Sequence, residues 1–349
     1  MKTSIAIFRN ESADDHDQWV AACGRRSGDL RYTVIDLTAS DWLERFRDDH
    51  FDLILLRPPG RTAGYKQLYD ERAFLLHNYT GVAAYPSLEE VLIYENKRFL
   101  SDWLKVNGIP HPATCVIFSE REAKLHLEGG VAFPLVAKTN IGASGNGVTF
   151  LTDKSAASAY VERAFRGGIK VRTGPKLSKG SLWKKIGKTL TSEGFFSKRM
   201  KEYRQTWLSP QKGFVIFQEF IPHEYEWRCV RIGDSYFAHK KVARNNKSSG
   251  TLIKAYDEVP FMLLDFIREM TERTGLSSVA IDLFDHEGRY LVNEIQCFFG
   301  QSDPYQMLVN SVPGRYRVRD GVWAFEAGDF ASNACYDLRL EHALRMIKS

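Results

Sequence analysis

Three apolar runs near the start, SIAIF, RYTVIDL and FDLILL, do most to restrict how this chain can fold. The first is short, the second alternates apolar with polar residues, and the third is almost continuously apolar. Segments around Asp14–Arg26 and Asp41–Asp49 have helical character and lie between them. Strands that alternate with helices through short links make a parallel sheet covered on both faces. Arg57-Pro58-Pro59-Gly60 ends the third strand, and a helix near Tyr65–Tyr79 and a strand VAAY lead to Pro86. An α/β unit over residues 1–90 is therefore predicted.

Beyond it the pattern changes. LEEVLIYENKRFLSDWLKVNG has helical spacing and stops at Gly108, and IPHPAT is extended because proline restricts its neighbours. FPLVAK reads as a strand, NIGASGNG as a glycine-rich loop, VTFL as the returning strand and SAASAYVERAF as a helix. Strands resume at FVIFQEF, EWRCVRIG and SYFAHKKVA, and PFMLLDFIREMTERTG is an amphipathic helix ended by Gly275. SSVAIDLF and RYLVNEIQ then form a hairpin turning at Glu287-Gly288. A chain of 349 residues has room for two or three lobes, each with a core.

Three constellations carry chemistry. In the late hairpin Asp282 lies on AIDLF, and Glu294 and Gln296, two apart on NEIQ, point to one face. Oxygen-bearing side chains on paired strands suit a hard cation such as magnesium, which takes one or two carboxylates plus substrate phosphates. The bland alternative is the polar face of an amphipathic hairpin. In AKTNIGASGNGV, Lys138 ends a strand, and Gly142, Ser144, Gly145 and Gly147 form a loop whose backbone N–H groups can approach phosphates. No Gly-Lys-Ser/Thr follows, and a strand rather than a helix comes next, so it is neither a P-loop nor a dinucleotide fingerprint. An ordinary glycine-rich turn is the alternative. In FVIFQEFIPHEYEWRCVRIGDSYFAHKKVAR, Gln218, Glu219 and Ile221 precede the break at Pro222 and suit an adenine edge, with Glu226 in reach of ribose hydroxyls. Arg228, Lys241 and Arg244 suit phosphate oxygens or a developing acyl phosphate, unless the segment is simply a solvated strand face.

In order, ENKRFLSDWLKVNGIPHPAT, PLVAKTNIGASGNGV, FQEFIPHEYEWR and AIDLF…YLVNEIQ resemble the ATP-grasp superfamily over roughly residues 80 to 305. The nearest likeness is to its glutamate-ligase and D-alanine–D-alanine-ligase branches, which join a carboxylate to an amine through an acyl phosphate. The resemblance implies an α+β ATP-grasp architecture: a pre-ATP-grasp domain over 1–90, a central lobe over 91–212 and a C-terminal lobe over 213–349. It further implies that Lys97 and Lys138 contact phosphates or adenine, that the Gly142–Gly147 loop closes over the triphosphate, and that Gln218, Glu219 and Ile221 line the adenine. Glu226 would hold the ribose, and Asp282, Glu294 and Gln296 two magnesium ions. The family's usual final ligand is Asn, where this chain has Gln296, and CFFGQ follows in place of small or proline residues. Gln keeps the amide oxygen but adds a methylene, which shifts the binding geometry, and CFFGQ points to an unusual acceptor pocket. The basic stretch from Arg163 to Lys212 makes an amino acid added to a peptide or a cell-surface polysaccharide precursor one reaction to consider. The rival readings are a small-molecule kinase on the same fold and a nucleotide-binding module without turnover.

Charge and cysteine bound the rest. The net charge of +5 is mild, but Arg163 to Lys212 is strongly basic, with Trp183, Phe195 and Phe196 interleaved. That insert suits an anionic membrane surface or an acidic polymer, or it is a solvated loop; its aromatics sit with aliphatics, not in a stacking row, which argues against nucleic acid. The five scattered cysteines read as reduced thiols of a cytoplasmic protein, and no stretch approaches the roughly 18 apolar residues of a membrane span. A cytoplasmic location, peripheral to the inner membrane face if the insert binds lipid, is expected. His111, His223 and His239 are expected to be structural or exposed, and Trp42, Trp103 and Trp207 to be core.

Overall fold

The opening alternation of strands and helices builds the predicted parallel sheet in the computed structural model, which describes residues 2–142, 147–170, 210–244, 247–248, 253–256 and 258–348. The chain divides into two compact units: Met1–Gly60, Gly64–Ala113 and Ile221–Ser349 form one, and Arg61–Ala63 with Thr114–Phe220 the other.

In the first unit β1 (Thr3–Arg9), β2 (Leu30–Asp36), β3 (Leu53–Leu56) and β4 (Ala83–Tyr85) form a sheet in the order β2-β1-β3-β4, all parallel. Alternation along β1 sends Ile5 and Ile7 to one face, with Trp19 of α1 (Asp17–Gly24), and Ala6 and Phe8 to the other, with Trp42 and Phe46 of α2 (Trp42–Arg47) and Tyr69 of α3 (Ala63–Tyr79). Both faces are thus covered, as the near-continuous apolar strands require.

The helical stretch after Pro86 is broken in two. α4 (Leu88–Ile93) and α5 (Lys97–Val106) are separated by Glu95, whose φ is +48°. The reason is a second start signal: the Asn96 side chain accepts from the Phe99 N–H and caps a new helix, while Ser87 and Glu90 form a capping box on the first. Glu90 is fully buried and also accepts from the Ser277 and Ser278 N–H groups at 2.7 and 2.6 Å. Its other oxygen accepts from the Ser87 N–H at 2.9 Å, so Glu90→Gln, with a single oxygen, would face one of the two sets of donors with an amide N–H₂. A loss of about 2 kcal/mol is expected in urea unfolding, since buried donors lose their acceptor.

The second unit is an antiparallel sheet in the order β5-β8-β6-β7, made of β5 (Thr114–Ile117), β6 (Leu135–Lys138), β7 (Val148–Leu151) and β8 (Val215–Glu219). Ala123 and Leu127 of α6 (Glu120–Glu128) and Ala157, Tyr160 and Val161 of α7 (Lys154–Arg166) pack with Phe217, Ala137 and Leu151 of its strands.

A nine-stranded sheet completes the first unit. It contains β9 (Tyr225–Ile232), β10 (Ser235–Arg244), β11 (Lys247–Ser248), β12 (Lys254–Ala255), β13 (Ser278–His286), β14 (Arg289–Gln296), β15 (Leu308–Val309), β16 (Val312–Arg319) and β17 (Val322–Ala327). Its main path is β14-β13-β9-β10-β16-β15. The predicted amphipathic helix is α8 (Phe261–Arg273), and Leu263, Leu264 and Ile267 enter the core with Cys229, Ile281 and Leu283. The β13–β14 turn falls where expected, with Glu287 and Gly288 at φ +51° and +73°, the conformation a two-residue hairpin loop demands. A C-terminal helix, α9 (Tyr336–Met346), packs against the parallel sheet through Leu340, Ala343 and Leu344. Among the described residues no helix is long and apolar enough to cross a membrane. All five cysteines are free.

Candidate functional site

The register of the large sheet brings a histidine and three charged side chains into one row. His239 on β10 faces Arg228 on β9, Arg228 faces Asp282 on β13, and Asp282 faces Glu294 on β14. Residues directly opposite across strands share a face, so all four side chains emerge together. Glu226 and Lys241, also cross-strand partners, lie two residues along on the same face.

Asp282 is the hub. Arg228 donates to it through Nε and a terminal nitrogen, both at 2.7 Å, a bidentate fork, and Lys241 Nζ donates to Oδ2 at 2.6 Å. Lys241 also reaches Glu226 Oε2 at 2.6 Å. Burial alone would raise the Asp282 carboxyl, but the two cations hold it well below the usual carboxylate range. Burial opposes the charge on Lys241 as well; Asp282 and Glu226 overcome it and raise its affinity for the proton. His239 is driven the other way, to about 3, by burial and by the Arg228 charge, and its Nδ1 lies 2.8 Å from the Gln306 carbonyl. It is a neutral structural histidine, as expected.

A bulge between Asp282 and Leu283 lets Asn293 stand out of register with β13, and its amide donates to Glu226 Oε1 at 3.1 Å. Lys97, at the start of α5, lies 3.6 Å from Glu95 and 3.4 Å from Glu294. Its proton is held more tightly than usual because those carboxylates outweigh desolvation. Gln296 donates to Glu95 Oε1 at 3.2 Å. Glu95 and Asn293 are thus members of the cluster that sequence reasoning missed. The Asn96 cap signal marks the helix break that places Glu95, whereas nothing in the sequence marks the bulge.

Does this cluster suit magnesium? Four carboxylates (Glu95, Glu226, Asp282, Glu294) stand against three cations (Lys97, Arg228, Lys241). The donor set of two carboxylates and an amide oxygen on neighbouring strands fits a hard cation that completes its shell with phosphate oxygens. Among the described residues no group of three His, Cys, Asp or Glu is disposed to hold a metal unaided. Both Asp282 oxygens already accept from Arg228 or Lys241, so Glu294, with a quarter of its side chain exposed, is the freer carboxylate.

In the other unit, Lys138 ends β6 and is buried, with Val148 and Ile216 as its neighbours on adjacent strands. The Thr139 N–H donates to the Gly147 carbonyl at 2.8 Å, which closes the base of the glycine loop. A Cβ on Gly147 would stand 2.0 Å from Thr139 Oγ1, so only glycine fits there. A Cβ on Gly142 would meet the same hydroxyl at 3.0 Å. The Gln211 side chain clamps the Ile141 backbone, accepting from its N–H at 3.0 Å and donating to its carbonyl at 2.7 Å. Ser144 and Gly145 lie outside the described residues, as do the Arg244 side chain and residues 171–209 of the basic insert. Gln218 is buried on β8 and donates to Thr114 Oγ1 at 3.1 Å, while Glu219 ends the strand exposed. Ile221 is buried at the start of the following segment.

No protein-family model matches the chain, and no curated protein sequence is significantly similar to it. Solved structures are. D-alanine–D-alanine ligase from Bacillus anthracis complexed with ATP aligns over 100% of this chain and 99% of its own, at 14% identity and TM-score 0.53. The chain has the ATP-grasp fold. Carboxyaminoimidazole ribonucleotide synthase from Aspergillus clavatus, also complexed with ATP, aligns over 89% of this chain and 72% of its own, at 10% identity and TM-score 0.52. A RimK-domain ATP-grasp protein from Sphaerobacter thermophilus is 18% identical over 84% of this chain and 90% of its own, at TM-score 0.49. In ATP-grasp terms the α/β architecture expected from sequence is present, with a parallel sheet first and antiparallel sheets after it.

Proposed function

We propose that this chain is an ATP- and magnesium-dependent ligase that joins a carboxylate to an amine through an acyl phosphate, releasing ADP and phosphate. The observation that carries the reading is the row His239–Arg228–Asp282–Glu294, with Lys241 and Glu226 beside it, within a fold shared with an ATP-complexed ligase. A carboxylate oxygen of the first substrate attacks the γ-phosphorus of ATP, the bond from that phosphorus to the bridging oxygen breaks, and ADP leaves. The amine nitrogen then attacks the acyl carbon, the carbon–oxygen bond to phosphate breaks, and inorganic phosphate departs as the amine loses its proton. No side-chain nucleophile takes part.

Asp282, Glu294 and the Gln296 amide oxygen would hold magnesium, whose charge neutralises the triphosphate. Arg228 and Lys241 are fixed by Asp282 in advance, so they meet developing phosphoryl charge without rearranging. Lys97, Lys138 and the loop from Gly142 through Ser144 and Gly145 to Gly147 are assigned to the phosphates. Gln218, Glu219 and Ile221 are assigned to adenine and Glu226 to ribose. An amino acid added to a peptide or to a surface-polysaccharide precursor is the acceptor chemistry we favour, since the basic stretch from Arg163 to Lys212 suits an acidic polymer or a lipid-linked substrate. ADP release screened against paired carboxylates and amines is expected to rise only when both are supplied. A stable phosphorylated product formed without amine would make the protein a kinase, and no ATP consumption with any pair would leave only a binding module.

A further inference from the structure

A second pocket lies in the same unit as Asp282, on the other face of the large sheet. Arg231 is three residues along β9 from Arg228, so strand alternation turns it away from the carboxylate row. There, Arg231 and Tyr236 from the sheet, Arg268 and Glu272 from α8, and His342 and Arg345 from α9 line a cavity of about 610 Å³. That is space for a metabolite, not for a single water, whose share of liquid is about 30 Å³.

The arginines are set for an anion. Arg231 is oriented by donation to the Gly233 carbonyl at 2.9 Å and to Thr271 Oγ1 at 2.6 Å, and its guanidinium stacks over Tyr236 at 5.4 Å. Among the described residues no carboxylate lies within ion-pair distance of it. Arg268 reaches Glu272 only at 3.5 Å, and Arg345 reaches Asp234 at 3.7 Å and Glu341 at 3.9 Å. Asp234 is engaged mainly by Arg317. Three guanidiniums therefore converge with loose or no carboxylate partners, where a short bidentate pair would otherwise be the stable arrangement. Nε2 of His342 is buried without a hydrogen-bond partner, an unmet polar group at the same wall. Burial and the Arg345 and Arg231 charges push that imidazole down to about 4, so at neutral pH its ring is uncharged and able to donate one N–H.

We propose that this pocket is a second ligand site, separate from the nucleotide site, for a small metabolite bearing oxyanion groups, phosphate or carboxylate. The proposal does not depend on the ligase reading. Calorimetric titration of the full chain, with the nucleotide site saturated by a non-hydrolysable ATP analogue, would use inorganic phosphate in one arm and citrate in the other. Saturable binding of either is expected, and the arm that binds names the oxyanion. The Arg268→Ala/Arg345→Ala variant is expected to bind at least tenfold more weakly with unchanged affinity for the ATP analogue, which also checks its folding. The Arg268→Lys/Arg345→Lys variant keeps the charge and should fall between. If neither probe binds, or if the alanine variant binds as the parent does, no such site exists.

Discussion

Asp282→Asn is expected to lower ADP-forming turnover by about two to three orders of magnitude, the loss typical when a charge-stabilising group is removed from an enclosed site. The asparagine keeps the shape but withdraws the charge that anchors Arg228 through two bonds and Lys241 through a third. Both cations then stay buried without their counter-charge, a fault that costs about 3–5 kcal/mol when one partner of a buried pair is removed. Burial opposes the Asp282 charge, Arg228 and Lys241 prevail, and the folded carboxyl titrates below its unfolded value of about 3.9. A depressed acid contributes stability above its unfolded value and loses it as pH falls further. The stability gap between parent and variant should therefore be full at pH 7 and narrow below about pH 4. Urea unfolding at both pH values, with turnover measured at pH 7, checks the two parts separately. A gap that is the same in acid as at neutrality would remove the ion-pair account. Turnover within threefold of the parent would remove Asp282 from the reaction.

How much of this was legible beforehand follows from which interactions are local. The β13–β14 hairpin was readable because its turn residues must take positive φ, and alternation fixes that Glu294 and Gln296 share a face. The parallel sheet was readable because strands buried on both faces are apolar at every position, as Leu53–Leu56 are. Which residues oppose one another was not readable. That Asp282 meets Arg228 depends on register between strands far apart in sequence, and the bulge that frees Asn293 left no pattern. The helix break at Glu95 was missed because helical spacing persists across it, although Asn96 is a cap residue. Arg339 shows the limit best. On α9 it reads as an ordinary surface arginine, yet it is fully buried, and its guanidinium lies over Phe298, Phe299 and Tyr336 at 4.9, 4.7 and 5.2 Å. Tyr336 lies one turn back on the same helix, but only the tertiary packing of the CFFGQ segment against that helix puts the Phe298 and Phe299 rings there.

Lys241→Met is expected to destabilise the chain by about 3–5 kcal/mol at pH 8. Lys241 is buried and bonds two carboxylates at once, Glu226 and Asp282, each at 2.6 Å. Methionine replaces the stem at similar volume, so cavity terms are small and the loss is electrostatic. The two carboxylates do not suffer alike. Asp282 keeps its bidentate Arg228, whereas among the described residues Glu226 keeps the Asn293 amide at 3.1 Å and His223 Nε2 at 3.9 Å. Glu226 therefore becomes the orphan. Lys241→Met/Glu226→Gln should recover part of that loss, because the orphaned charge is gone. Urea midpoints for the parent, the single and the double variant at pH 8 decide the matter. A double variant that shows no rescue would mean that Lys241 acts through packing and not as the shared cation of Glu226 and Asp282.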